Sequence, residues 1–411
     1  MNRVVITGIG AVTPLGTGVD KFWNNVKEGK CAIDFIESFD TEKFKVKLAG
    51  EAKDFKPEDH IDKREVRKLD RFSQFALVAS KEAIEDSNLD LEKVNKEKFS
   101  VIIGSGIGGL STLEKEHTKM VVKDTTRVSP FMIPMMISNL AAGNVAIKFG
   151  AKGICNTVVT ACASGSNAIG EAFRHIRYGY SDISITGGSE AGITPLAIAG
   201  FTSLTALNTN NDPKRASIPF DKERAGFVMG EGAGILILES LDHAIARGAK
   251  IYAEVVGYGA TCDAYHITSP APNGEGAARA MVMAIEEAGI SKEEVSYINA
   301  HGTSTPYNDK FETAAIKSVF GEFAYKIPVS STKSMIGHLL GASGAVEAIA
   351  CVKSLQENFV HETVGLQVDD EELDLDYVKG KGREHTVNYT LSNSLGFGGH
   401  NASLLFKKWS E

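Results

Sequence analysis

Short apolar runs alternate with longer segments of helical period along the whole chain. Runs at 4–8, 101–104, 182–186, 234–238, 251–256 and 295–299 predict buried strands, several of them closed by glycine. Apolar residues recur at three- and four-residue spacing over 71–86, 138–148, 163–178, 274–288 and 342–355, which predicts helices. Short strands separated by helix-length segments predict an α/β protein with parallel strands. Glycine turns, not low-complexity linkers, join these segments, so the chain reads as compact throughout.

The pattern also repeats. Val4-Val5-Ile6-Thr7-Gly8-Ile9-Gly10-Ala11 matches Ala253-Glu254-Val255-Val256-Gly257-Tyr258-Gly259-Ala260. Ser100-Val101-Ile102-Ile103-Gly104-Ser105-Gly106 matches Ser296-Tyr297-Ile298-Asn299-Ala300-His301-Gly302, and Ala163-Ser164-Gly165 matches Ala342-Ser343-Gly344. The matches keep one order, with separations that shrink along the chain. Each alone is weak, because glycine after a strand is common. Together they predict a duplicated α/β unit, with halves at 1–250 and 251–411 and a site that draws on both.

Composition narrows the function classes. Of 411 residues 43% are hydrophobic and 23% charged, and the net charge is −8. That is globular composition, not disorder, and the acidic balance argues against general nucleic-acid binding. No apolar run reaches the roughly 18 residues of a membrane span. Met1 leads straight into a strand pattern without a signal-peptide stretch, so a cytoplasmic location is expected. The chain has 5 cysteines, without metal-ligand spacing; Cys31, Cys155, Cys262 and Cys351 read as small buried residues.

Cys162 stands apart. A β-branched run ends at Thr160, and a small-residue helix begins at Ala163-Ser164-Gly165. Ala168, Ile169, Ala172, Phe173 and Ile176 share one face, Arg174, His175 and Arg177 crowd the last turn, and Gly179 can end the helix. A thiol at the mouth of such a helix faces free N–H groups, which favour thiolate and can hold an oxyanion. A buried structural cysteine is the commoner fate, but the strand-to-helix junction is where a nucleophile would be presented.

Two histidines among the 10 sit in unusual contexts. His301 follows a predicted strand. His338 precedes the helix that repeats the cysteine helix, with Gly341 matching Cys162. Hydrogen-bonded loop histidines would look similar, and metal binding lacks close ligand spacing. One cysteine with two histidines fits acyl chemistry: the thiol attacks one thioester, while neutral imidazoles hold the carbonyl of another. Lys333 is either a surface lysine or half of a buried pair, with Glu347 as candidate partner.

Four segments together resemble the β-ketoacyl-acyl carrier protein synthases, type II. They are Thr160-Ala161-Cys162-Ala163-Ser164-Gly165, His301-Gly302-Thr303-Ser304-Thr305-Pro306, Lys333-Ser334-Met335-Ile336-Gly337-His338 and Asn393-Ser394-Leu395-Gly396-Phe397-Gly398-Gly399-His400-Asn401. The resemblance spans essentially the whole chain; the type II assignment rests on Ile107 in the 104–109 turn. It implies a thiolase-type fold of two pseudo-twofold related halves in αβαβα layers. It implies ping-pong decarboxylative Claisen condensation that lengthens fatty acids by two carbons. Cys162 would take the acyl chain, with its own N–H and that of Phe397 as oxyanion hole. His301 and His338 would hold the malonyl thioester, and Lys333 would orient the site. Ile107 and Phe201 would line the acyl pocket, and Thr303 and Thr305 would bond the phosphopantetheine arm. No cofactor is required; some relatives hold a monovalent cation at positions matching Asn299, Glu347, Ser392 and Asn393. The family also implies a homodimer and an acidic acyl carrier protein as partner.

Lys63, Arg64, Arg67, Lys68 and Arg71 then form a candidate landing site on one predicted helix, extended by Lys123 and Arg127, although a solvated charged face is the bland alternative. The glycine-rich 104–109 turn lacks the downstream acid of a dinucleotide loop and reads as a pocket wall. Rival readings are a thiolase, which uses a second cysteine absent from 393–400, a polyketide ketosynthase, for which no further module follows Glu411, and a chain-length factor, which lacks the nucleophile. A papain-like hydrolase would leave Lys333 and the repeat unexplained.

Overall fold

The computed structural model describes residues 1–410. The main path of its large sheet takes five strands from each half of the chain, and an eleventh, Gly16–Thr17, pairs with the end of the first. The first half supplies β1 (Val4–Thr13), β2 (Phe99–Gly104), β3 (Cys155–Val158), β4 (Ile183–Glu190) and β5 (Gly232–Ser240). The second supplies β6 (Ala253–Cys262), β7 (Tyr297–Asn299), β8 (Val329–Ser330), β9 (Tyr389–Gly396) and β10 (His400–Lys408). Their spatial order is β8-β7-β9-β10-β6-β1-β5-β4-β2-β3, a palindrome about the β6/β1 seam. At that seam Val4, Val5 and Ile6 pair antiparallel with Val255, Glu254 and Ala253.

The expectation of parallel strands holds for only part of the sheet. β2 runs parallel to β3 and β4, and β7 parallel to β8 and β9. The pairs β4/β5, β5/β1, β9/β10 and β10/β6 are antiparallel. The reason is plainest at β9 and β10, where a turn as tight as 397–399 allows only an antiparallel return.

The predicted helices are present with small shifts at their ends. They are α1 (Arg71–Asp86), α4 (Leu140–Phe149), α5 (Ser164–Arg177), α7 (Glu275–Ala288) and α9 (Ser343–Glu357). Between them lie α2 (Leu110–Val122), α3 (Met132–Met136), α6 (Pro195–Ser203) and α8 (Pro306–Phe320). The central helices α5 and α9 pack against strands of both halves. α1 and α4 cover the outside of the first half, α7 and α8 that of the second. The result is five layers, αβαβα, with an apolar core at each interface between helices and sheet.

The repeated Gly-x-Gly has a steric cause. Gly8 and Gly10 of β1 lie against the carbonyl oxygens of Ala83 and Ala79 in α1, and Gly257 and Gly259 of β6 against those of Ala284 and Ala280 in α7. A Cβ at any of the four would collide with backbone. Close seating of each outer helix therefore requires bare backbone, once per half. In the α4 helix, by contrast, a Cβ on Gly143 would meet only the Leu140 side chain at 3.6 Å. Gly259→Val should therefore cost about 3 kcal/mol or more, whereas Gly143→Ala should be neutral or stabilising by up to ~1 kcal/mol. Urea denaturation of both variants checks this; equal midpoints would contradict it.

Candidate active site

β3 ends at Val158, and the chain reaches α5 through a single 3-10 turn, Ala161–Ala163. Ala161 takes a positive φ of 49°, which sets Cys162 on a sharp elbow. The repeat has the same device: Leu340, also at φ 49°, opens the turn Leu340–Ala342 that leads into α9. Gly341 thus occupies the place that Cys162 holds in the first half. What approaches the small first turn of α5 is the other central helix: a Cβ on Gly165 would lie 2.9 Å from the Gly341 carbonyl oxygen.

Cys162 is 9% exposed and packs in an apolar cluster with Ile193, Ala197, Ile198, Phe227 and Leu340, bordered by Ile107, Leu110 and Phe201. The Phe201 ring lies 5.6 Å from Phe227 and 6.4 Å from Phe397. The backbone N–H groups of Phe397 and of Cys162 itself lie close enough to the sulfur to favour its thiolate. The expected acidification of the thiol is not found. Burial in this cluster pushes it up to about 11, outweighing the charge of Lys333 and the two N–H groups that pull the other way. The resting group is a thiol, and its proton must leave during attack.

His301 lies just beyond β7, and His338 just beyond the short helix Lys333–Ile336. Their rings meet edge to face with centroids 5.3 Å apart, and His338 meets Phe227 in the same way at 5.2 Å. His338 Nδ1 is 2.8 Å from Ser343 Oγ, while His301 Nδ1 is buried without a partner. Burial first, then the Lys333 charge, holds both rings well below the ordinary histidine value, so both are neutral at physiological pH.

Lys333, 1% exposed, sits between these groups. Its Nζ donates to the His301 carbonyl oxygen at 2.6 Å and to Glu347 Oε1 at 2.5 Å. The buried-pair alternative for Lys333 and Glu347 is therefore the one realised. Thr303 and Thr305 bond each other through their hydroxyls at 2.9 Å, between His301 and the start of α8.

Two carboxylates here have no counterpart among the sequence-predicted residues. Glu312, on the buried face of α8, accepts the N–H of His301 and of Gly302, each at 2.8 Å. Burial raises it to about 7. Glu190, at the end of β4, binds the 105–108 turn. The available signal was an acid at helical spacing from Ala315, Ile316 and Val319, and another closing a strand rich in small residues.

At the implied cation positions, Asn299 Oδ1, Glu347 Oε2 and Ser392 Oγ are buried with no hydrogen-bond partner. Three orphaned oxygens suit a hard monovalent ion. The Asn393 side chain is committed elsewhere: its Oδ1 accepts from Ser403 at 2.8 Å, and its Nδ2 faces Glu312 at 3.3 Å. Among the described residues no cluster of His, Cys, Asp and Glu has metal-binding geometry.

The basic cluster is not one helix. Lys63–Val66 forms a single turn, and a new helix starts at Arg71 because the Asp70 side chain caps Phe72 N–H. Lys63, Arg64, Arg67 and Lys68 are exposed, as are Lys123 and Arg127. Arg71 instead turns inward, reaching Glu231 at 2.7 Å and stacking on Phe75 at 4.6 Å, so it leaves the exposed group. Cys155 and Cys262 are also exposed, not buried as expected, on the edge strand β3 and at the end of β6. Among the described residues no helix is long and apolar enough to cross a membrane.

Comparison with known proteins places the chain in a family. Residues 1–244 match the model of the β-ketoacyl synthase N-terminal domain, and residues 252–367 that of the C-terminal domain. A 3-oxoacyl-[acyl-carrier-protein] synthase 2 of Synechocystis sp. is 54% identical over 408 residues, 99% of this chain and 98% of that protein. The protein of the same name from Staphylococcus aureus strain COL is 54% identical over 407 residues, with the same coverage. A β-ketoacyl synthase from Burkholderia phymatum superposes with a TM-score of 0.92 at 36% identity, covering both chains fully. The ishigamide ketosynthase/chain length factor superposes at 0.94, with 34% identity and full coverage. Fold and relatives together define a thiolase-type condensing enzyme. The chain belongs to the β-ketoacyl synthase family.

Proposed function

We propose that this chain condenses a cysteine-bound acyl group with a malonyl group on acyl carrier protein, lengthening a fatty acid by two carbons. One observation carries the reading: two buried neutral imidazoles and a thiol under two backbone N–H groups share one buried lysine charge. The Cys162 sulfur attacks the acyl thioester. Its proton goes to the departing pantetheine sulfur, and the N–H groups of Cys162 and Phe397 hold the tetrahedral oxyanion. Malonyl thioester then binds with its carbonyl oxygen on the His301 and His338 N–H groups. Carbon dioxide leaves, the imidazoles stabilise the enolate, and its carbon attacks the acyl-cysteine carbonyl. The cysteine sulfur departs, and the 3-oxoacyl product leaves on its carrier.

Lys333 holds the His301 backbone in place, and Ile107 and Phe201 bound the acyl chain. Thr303 and Thr305 would bond the pantetheine arm. A monovalent cation would be held by Asn299, Glu347 and Ser392, where it supplies fixed charge and no redox chemistry. The halves divide at 1–250 and 251–411, on either side of which the two matched family models fall. A homodimer is supported by the outermost strand β3, which is flanked by exposed Ile154 and Val159; sedimentation as a monomer at micromolar concentration would count against it. A cytoplasmic location goes with this activity. Fatty-acid elongation is favoured over polyketide synthesis because the relatives at 54% identity are named 3-oxoacyl-[acyl-carrier-protein] synthase 2, while a neighbour from a type II PKS, described as acyl-carrier protein in complex with its ketosynthase, is at 37%.

Mass spectrometry after incubation with acyl-carrier protein tests the acceptor. Wild type should gain the acyl mass and Cys162→Ala should not; acyl mass retained on the variant rejects Cys162. Carrier docking is read from Michaelis constants. Reversing Arg67 and Lys68 to Glu should raise KM about tenfold for carrier-bound substrate and leave small acyl thioesters unchanged. Equal effects on both substrates would remove the docking surface.

A further inference from the structure

Glu190 is a fully buried carboxylate that the condensation scheme does not use. Five donors converge on it, none of them cationic. Oε1 accepts from Ser105 Oγ at 3.0 Å, from Ile107 N–H at 3.1 Å and, more weakly, from Gly108 N–H at 3.4 Å. Oε2 accepts from Gly106 N–H at 2.7 Å and Gly341 N–H at 3.0 Å. Four of these donors belong to the turn that carries Ile107. The fifth belongs to the opposite half of the molecule, at the position that repeats Cys162.

The surroundings are built around this carboxylate. A Cβ on Gly106 would lie 2.9 Å from Oε2, and one on Gly341 2.7 Å from it. Ser105 Oγ also accepts from Gly108 N–H at 3.2 Å, which closes the turn on itself. The side chain that the turn presents is Ile107, which borders the apolar cluster around Cys162. Its Cδ1 comes within 3.7 Å of where a Cβ on Gly192 would stand, next to Leu340 on the far wall.

We propose that Glu190 is a positioning residue that latches the Ile107 turn to the neck of α9 and thereby sets how long an acyl chain the Cys162 pocket accepts. This rests on the reading of Cys162 as acyl acceptor and of Ile107 as its pocket wall. A carboxylate suits the task because every group around it is a donor. An amide would turn an N–H either against the N–H of Gly106 and Gly341 or, flipped, against that of Ile107, and in both orientations loosen the turn. The Glu190 charge also opposes ionisation of the Cys162 thiol, as expected of an acid close to the nucleophile.

The test compares kcat/KM for acyl transfer from dodecanoyl and hexanoyl carrier thioesters. Glu190→Gln should raise the long-to-short ratio at least about fivefold, and Ser105→Ala should move it about twofold in the same direction. In an Ile107→Gly background, where the wall is already gone, Glu190→Gln should leave the ratio unchanged, since both act on one element. A general loss of packing would instead lower both substrates equally. Unchanged ratios in both single variants, or an undiminished shift in the Ile107→Gly background, would overturn the proposal. If Glu190→Gln does not fold, Ser105→Ala alone and with Ile107→Gly decides it. Wild-type protein that takes no acyl group onto Cys162 would instead defeat the underlying reading of the site.

Discussion

The site depends on one buried positive charge. Lys333 is enclosed by both halves of the molecule, where an unpaired ammonium would be very costly. Glu347, from the central helix α9, pairs with it, and the His301 carbonyl oxygen takes a second proton of the ammonium. Each partner lies on a different element, so the charge fixes β7, the 333–336 turn and α9 relative to one another. It then acts outward. It adds to the burial that keeps His301 and His338 neutral, and it partly offsets the burial that keeps Cys162 protonated. A single ammonium thereby prepares a nucleophile and two hydrogen-bond donors.

Duplication explains why the site lies where it does. Two copies of one strand order meet at the β6/β1 seam, and their central helices cross with both N-terminal ends toward the same region. One end presents the Cys162 thiol. The other presents Gly341, whose N–H is taken by Glu190 from the opposite half. The symmetric frame thus holds an asymmetric site, in which one elbow reacts and its twin braces the pocket wall.

Much of this was legible in the sequence because local rules and the repeat agree. The helices at 71–86 and 275–288 appear with little change, and the matched Gly-x-Gly pairs mark where those helices seat. Cys162, His301 and His338 stood out because each closes a strand or opens a helix in the duplicated layout, whereas Lys333 read equally as a surface lysine or as the buried partner of Glu347. Strand direction was not, since apolar runs look alike in parallel and antiparallel sheets. The basic run at 63–71 read as one helix because charge spacing ignores the cap at Asp70. Glu190 and Glu312 were hidden because their partners are mainly backbone N–H groups, which no side-chain pattern marks, and those of Glu190 lie more than 80 residues away in sequence. The thiol's raised value was hidden too: a helix mouth is visible in sequence, but the burial that outweighs it comes from Ile193, Phe227 and Leu340 arriving from elsewhere.

The central claim is that two imidazoles stay neutral beside the buried Lys333–Glu347 pair, ready to donate to a thioester carbonyl. NMR titration of ring-labelled histidine measures this directly. Because both values are lowered, the neutral form should persist on acidification, and His301 and His338 should remain unprotonated well below pH 6.5. Lys333→Met should move both titrations toward higher pH. Protonation of either ring at or above the ordinary value of 6.5 in the wild type would contradict the account.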